Sequence, residues 1–210
     1  MQVLPAGPDA LLVELPLPAD VPRLYADLRR DLTCADLVPG ARTVLLDGVA
    51  DLDAARDYLA RWVPADGSPE QVGPLVELPT TYDGADLDDV ARLTGLTPAE
   101  VVAAHTGSRW QVAFGGFAPG FAYLVGGDPR LRVPRRDRPR PSVPAGAVGV
   151  AGEFSGVYPR SSPGGWQLVG TTDAVVWDVR RDPPALLRPG GTVQFVDSTA
   201  NRFVDSATSG

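Results

Sequence analysis

The apolar and polar positions of the first 80 residues sort into short alternating runs and two longer stretches of helical period. Residues 10–15 (ALLVEL) read as a strand, 34–38 as a second, 43–46 (TVLL) as a third and 74–78 as a fourth. Between them Val21, Leu24, Tyr25 and Leu28 recur at the 3, 4 and 7 spacings of one helix face. That predicts a helix over 20–30, capped by Asp20 and with Pro22 tolerated in its first turn. Leu52, Ala55, Leu59 and Trp62 predict a second helix over 51–62 in the same way. The order β-α-β-β-α-β is that of a small split βαβ, ferredoxin-like layer.

From residue 82 the pattern changes. Leu87, Val90, Ala91 and Leu93 line one side of a helix that stops at Gly95. Thr97-Pro98-Ala99-Glu100 then forms a capping box with proline at the first helical position, opening a helix that runs to His105. Beyond it the apolar runs are short, at 111–114, 148–151 and 166–169, with further strands at 174–179 and 193–196. Pro119-Gly120 and Pro163-Gly164 each supply a fixed φ followed by a residue free to take positive φ, the chemistry of a type II turn. Phe117, Phe121, Tyr123 and Trp166 stand beside these corners. The reading is an α+β chain: an N-terminal ferredoxin-like α/β domain over 1–80, a helical bridge over 81–109, a β-rich barrel or sandwich over 110–200 and a polar tail over 201–210.

Composition narrows the chemistry. All 19 basic residues are arginine, so Schiff-base chemistry and a P-loop lysine are excluded. One cysteine, Cys34, and one histidine, His105, rule out an internal disulfide and a multi-His or Cys-based metal site, so no metal ligands are predicted. No apolar run approaches the roughly 20 residues that span a bilayer, and MQVLPAGPDA lacks the segments of a secretion signal, which predicts a cytoplasmic protein. The net charge of −7 is unevenly spread: residues 1–109 hold 18 acids against 8 arginines, whereas residues 110–210 hold 8 against 11. Six arginines fall between Arg130 and Arg140, broken by prolines and therefore extended. Such a loop on an acidic protein points to an anionic ligand or partner surface, and the overall acidity argues against nucleic acid.

Several side chains are candidates for chemistry. His105 is the one group that titrates near neutrality, fit for a general acid or base, or else a cation at a helix C-terminus. Arg135, Arg136, Arg138 and Arg140 offer forks for carboxylate or phosphate, or pair with the acidic N-terminal domain. The loop with Phe117, Pro119, Gly120 and Tyr123 has three readings: its backbone N–H groups form an anion nest, its aromatics Phe117, Phe121 and Tyr123 plug the barrel, or it forms an interface core, the use ranked first. Trp166 and Gln167 follow a rigid turn, with Trp166 packing inward or stacking on a ligand. Cys34 reads as a small buried residue.

The segments YDGADLDDVARLTGLTPAEVVAAH, FGGFAPGFAYLVGGDPRLRVPRRDRPRPSVPAGAVGVAG, GVYPRSSPGGWQLVGTT and LLRPGGTVQFV together closely resemble the KipI-like family. That family takes in the B subunit of 5-oxoprolinase, the sporulation-kinase inhibitor KipI and allophanate hydrolase subunit 1-like proteins. The resemblance implies a cyclophilin-like β-barrel behind the N-terminal α/β domain. It implies work with a KipA-like subunit and a LamB/YcsF-like subunit in the ATP-dependent opening of 5-oxoproline to glutamate, with Mg²⁺ a possible companion of ATP. In that setting the arginines, Arg135, Arg136 and Arg140 among them, meet ATP or the carboxylate, and Gln167 hydrogen-bonds the lactam. The same resemblance allows two alternatives: a regulatory protein that blocks a sensor histidine kinase, and a carboxyltransferase-type or allophanate-hydrolase-type subunit.

Overall fold

The computed structural model describes residues 1–64 and 74–198. Its first unit, Met1–Val72, contains β1 (Gln2–Pro5), β2 (Leu11–Glu14), α1 (Val21–Asp31), β3 (Asp36–Pro39), β4 (Thr43–Asp47) and α2 (Leu52–Arg61). The four strands form one antiparallel sheet in the order β1-β2-β4-β3. Alternation places Leu11, Val13 and Leu15 with Val44 and Leu46 on one face. Leu24 and Leu28 of α1 and Ala55 and Leu59 of α2 close over them. Cys34 is half-buried at the margin of this core. Asp51 caps α2 by accepting from the Ala54 N–H at 2.9 Å, whereas Asp20 precedes α1 without a side-chain cap bond.

Two corrections follow. The sheet edge next to β2 is filled from the front by β1, which a four-residue run ending in proline did not announce. The predicted fourth strand, β5 (Leu75–Thr80), belongs instead to the second unit, Gly73–Gly210. The layer is thus ββαββα. The reason is pairing: β5 runs parallel to the last described strand over six consecutive residues, a long-range match that no local pattern reveals.

The second unit adds α3 (Leu87–Thr94), α4 (Pro98–Thr106), β6 (Arg109–Gly115), β7 (Ala122–Val125), β8 (Arg140–Val143), β9 (Ala147–Ala151), β10 (Phe154–Val157), β11 (Ser162–Gly164), β12 (Gln167–Thr171) and β13 (Thr192–Asp197). Seven strands pair in the order β12-β9-β10-β7-β6-β13-β5, and β8 pairs with β11. The two sheet edges meet: Thr81 and Thr171 exchange N–H···O bonds of 2.8 Å, and Gly84 N–H reaches Val169 O at 3.2 Å. A Cβ on Gly84 would lie 2.3 Å from Leu168 O, so this seam requires glycine. The result is a nearly closed barrel.

The predicted helical bridge is part of this unit, because Val90 and Ala91 of α3 and Val101 and Ala104 of α4 pack with Leu78, Leu124, Val193 and Phe195. The division of the chain therefore falls at Val72/Gly73, earlier than the predicted end of the first domain at residue 80. The boxed cap forms as read: Glu100 N–H reaches Thr97 Oγ1 at 3.2 Å and Thr97 N–H reaches the Glu100 carboxylate at 2.8 Å. The stretch 174–179 is not a strand. It makes only an isolated antiparallel bridge, Trp177 to Ala185, with Asp178 N–H to Pro184 O at 3.1 Å and Leu186 N–H to Val176 O at 3.0 Å, and Arg181 donates to Val175 O at 2.9 Å. Pro163-Gly164 is likewise no type II turn: it lies in β11, where a Gly164 Cβ would sit 2.3 Å from the Tyr158 hydroxyl. The predicted tail, 201–210, lies outside the described residues.

Candidate functional site

The arginine segment is organised by one carboxylate. Asp86, 1% exposed, precedes α3 and runs beside the edge of β12. Its N–H donates to Leu168 O at 2.9 Å and its Oδ2 accepts from Leu168 N–H at 2.7 Å, so it pairs with that edge as a strand residue would. The same carboxylate receives Arg140 in a fork, Nη2 to Oδ1 at 2.7 Å and Nη1 to Oδ2 at 2.8 Å, and Arg136 Nη1 to Oδ1 at 2.5 Å. Burial pushes the Asp86 carboxyl upward. The Arg140 fork, the Leu168 N–H and the two positive charges outweigh that and hold it below the usual carboxylate range. The ion-pair alternative for these arginines therefore holds with a different partner: the acid comes from the second unit, not the first.

The other predicted arginines stay outside. Arg130 is bound to Asp128 at 2.6 Å and Arg132 lies 3.8 Å from Glu153, while Arg135 and Arg138 are exposed and make no ion pair among the described residues. The six arginines thus split into two clamped on Asp86, two beside surface acids and two that face solvent.

A cluster of aromatic rings adjoins it. A bulge in β6 between Val112 and Phe114 sets Phe114 opposite Tyr123, with ring centroids 4.4 Å apart. Tyr123 continues to Phe121, Phe154 and Trp166, and Phe121 to Trp166 and Tyr158, through edge-on contacts of 5.1–5.6 Å. Trp166 is buried in this cluster and Tyr123 half-buried. At its outer end Phe117 is 58% exposed, edge-on to Phe121 and Tyr158. Phe117 also has φ +67°, at the centre of a turn closed by Ala118 N–H to Gly116 O at 2.7 Å. This is the rare, strained γ-turn. Pro119-Gly120 then makes the predicted type II turn, with Gly120 at φ +84° and Phe121 N–H bonded to Ala118 O at 2.9 Å. A Gly120 Cβ would stand 2.5 Å from that of Trp177.

His105 is elsewhere. It is 1% exposed in the barrel core, 4.2 Å from the Phe195 ring and 5.1 Å from Trp110. Ser155 donates its hydroxyl hydrogen to Gly149 O at 3.3 Å. His105 Nε2 is hydrogen-bonded to Ser155 Oγ at 2.8 Å and Nδ1 to the Tyr82 hydroxyl at 2.7 Å; a neutral ring donates at one nitrogen and accepts at the other. Burial lowers the histidine pKa to about 3, so it is neutral. The reading of a cation at the helix end is overturned. Solvent does not reach the ring.

Gln167 is 5% exposed and turned inward: Nε2 donates to Pro134 O at 3.2 Å. The structure thus brings Arg136, Arg140 and Gln167 to one seam between residues 134–140 and β12. It sets Phe117, Pro119 and Gly120 at the end of the aromatic cluster and leaves His105 apart. Asp86, Tyr158, Ser155 and Tyr82 were not singled out from the sequence. Asp86 sits in a run of four acids where it reads as a helix-start residue, and only the fold shows what it faces.

These features define a mixed α/β protein whose nearly closed barrel carries a clamped arginine pair and an exposed, strained aromatic loop. The model of the carboxyltransferase domain, subdomain C and D, matches residues 1–187, and the chain belongs to that family. It is 48% identical over 125 residues to the B subunit of 5-oxoprolinase from Bacillus subtilis, covering 58% of this chain and 52% of that protein. It is 35% identical to the corresponding B subunit of 5-oxoprolinase from Haemophilus influenzae, over 93% of this chain and 97% of the other. Among solved structures TTHA0988 superposes with a TM-score of 0.74 at 35% identity; the match takes in 90% of this chain but only 40% of that longer one.

Proposed function

We propose that this chain is the B subunit of an ATP-dependent 5-oxoprolinase, acting with a KipA-like and a LamB/YcsF-like subunit to open 5-oxoproline to glutamate. The likeness to the 5-oxoprolinase B subunit along nearly the full length of the Haemophilus influenzae protein carries the reading. Phe117 supports assembly. A large aromatic held in a strained turn with most of its surface open fits an interface anchor, and exposed Arg135 suits an acidic partner surface. That TTHA0988 is a longer chain is consistent with a companion region.

Lactams are poor electrophiles, and ATP supplies a phosphoryl group to activate the carbonyl oxygen. Charge developing there calls for fixed cations. Arg135 and Arg138 are the ones free to meet it, since Arg136 and Arg140 already hold Asp86. The described residues contain no group of three or more His, Cys, Asp or Glu side chains that fits a metal, so no step is assigned to Mg²⁺ on this chain.

The test is glutamate release from 5-oxoproline and ATP by the three co-purified subunits, with each omitted in turn. Loss of activity without this chain establishes the role. Undiminished activity without it refutes the role and leaves a regulatory binding function, or carboxyltransferase-type chemistry, to be tested. Arg135→Ala with Arg138→Ala is expected to lower 5-oxoproline-dependent ATP hydrolysis at least tenfold while leaving the chain folded.

A further inference from the structure

In the first unit α1 and α2 cover one face of the four-stranded sheet. Leu11, Val13, Val44 and Leu46 point to that side, and Val3 and Leu37 pack with them. Alternation turns the intervening residues to the opposite face. An antiparallel sheet with one solvated face ordinarily carries polar residues there. This sheet carries a row of apolar ones. Leu4 pairs with Leu12, Leu12 with Leu45 and Leu45 with Val38, so β1, β2, β4 and β3 each contribute one. At the usual strand spacing the row is about 14 Å long. Val38 is 44% exposed, and Leu4, Leu12 and Leu45 are half-buried. None of the four packs against a buried core among the described residues.

The borders of the row are polar, and one of them is unbalanced. On one side Gln2, Glu14 and Thr43 stand opposite one another, with Glu14 3.5 Å from Arg42. On the other side Asp36 and Asp47 face each other across β3 and β4, both exposed. Their carboxylates accept from adjacent backbone, Leu37 N–H at 2.8 Å and Gly48 N–H at 3.1 Å. Neither forms an ion pair among the described residues, where Arg23, Arg30, Arg42 and Arg56 are engaged with other acids. Like charges directly opposite on adjacent strands cost stability. A cation brought from outside removes that cost. An apolar centre with a charged rim is the anatomy of an interface, and the sign of the rim selects what binds. Here the rim is acidic, whereas Arg135 near the Phe117 loop is basic, so the two surfaces suit different partners.

We propose that the Leu4-Leu12-Leu45-Val38 face docks a partner subunit that presents apolar side chains bordered by arginine or lysine, whose cations meet Asp36 and Asp47. This inference rests on the 5-oxoprolinase reading for the existence of the partner subunits.

The test measures binding of this full chain to each purified partner subunit by biolayer interferometry, at 50 and 300 mM NaCl. One subunit is expected to bind, with affinity at least fivefold weaker at the higher salt. Asp36→Asn with Asp47→Asn should weaken that binding at least tenfold and remove most of its salt dependence. The urea midpoint of the same variant should hold or rise, since the facing charges are gone; a merely structural role predicts that it falls. Leu12→Ser with Leu45→Ser should also weaken binding at least tenfold. If the subunits bind and both double variants bind them as the wild type does, this inference fails and the 5-oxoprolinase reading stands. If neither subunit binds the wild-type chain, that reading fails and takes the inference with it. A wild-type chain that sediments alone as a dimer, with both variants monomeric, assigns the face to a second copy and also overturns the proposal.

Discussion

Phe117 shows how one residue can be read for what it costs. At φ +67° a residue with a Cβ is strained by about 1–2 kcal/mol, and glycine is not. Phe117→Gly and Phe117→Ala both remove the ring, but only glycine relieves the backbone. In chemical denaturation the glycine variant should therefore be about 1 kcal/mol more stable than the alanine one. If Phe117 anchors the proposed assembly, both variants should lose co-purification with the proposed partner subunits equally, since both lack the ring. His105 gives a prediction of another kind. Its pKa is about 3 in the folded chain, against about 6.5 when unfolded. Between those values the unfolded state binds the extra proton, so stability is complete above pH 6.5 and falls on acidification by about 1.4 kcal/mol per pH unit. His105→Gln should flatten that slope between pH 6.5 and 4, read from urea midpoints at successive pH values. A slope that survives the substitution would mean the folded histidine still takes up a proton.

Among the elements, the seam between β5 and β12 is where the barrel is most exposed to single changes. Asp86 lends its backbone and its carboxylate to the β12 edge and pairs with two guanidiniums at once. Asp86→Asn keeps the shape but leaves Arg136 and Arg140 facing each other without an anion. Breaking a buried ion pair from one side costs about 3–5 kcal/mol, and a loss of that size is expected in the urea midpoint. The exposed pair Arg92–Asp89 on α3 serves as the control, since Arg92→Ala should change stability by less than about 1 kcal/mol. The helices were legible locally. Thr97 and Glu100 name their own capping box, and Gly95 its own stop. Strand identity was less so: β7, β8, β10 and β11 are three or four residues long, too short for alternation to register.

For the molecule as a whole, the division at Val72/Gly73 has a consequence. Leu11, Leu24, Leu46 and Leu59 form a core within the first unit, and Leu78, Leu124, Val193 and Phe195 one within the second. Each unit buries its own apolar face, so residues 73–210 expressed alone should fold cooperatively, as seen by near-UV circular dichroism and a single thermal transition. A chain begun at residue 81 instead should not, because it lacks β5 and leaves β13 without its parallel neighbour. No described helix is long and apolar enough to cross a membrane.

The amino-acid pattern by itself determined the α1, α2, α3 and α4 helices, the β-rich second half, the turn at Pro119-Gly120 and the absence of lysine chemistry. Each of these follows from residues within a few positions of one another, where period, capping and φ preference act. The tertiary structure decided the rest. It took β5 away from the first sheet, supplied β1 in its place, buried His105 in a neutral hydrogen-bonded chain and gave two of the arginines to Asp86. Apart from β1, which pairs with the neighbouring β2, those outcomes depend on contacts between residues 50 or more positions apart, as from Asp86 to Arg136, Arg140 and Leu168, or from His105 to Ser155. A carboxylate in a run of acids looks like any other until the fold sets two guanidiniums against it.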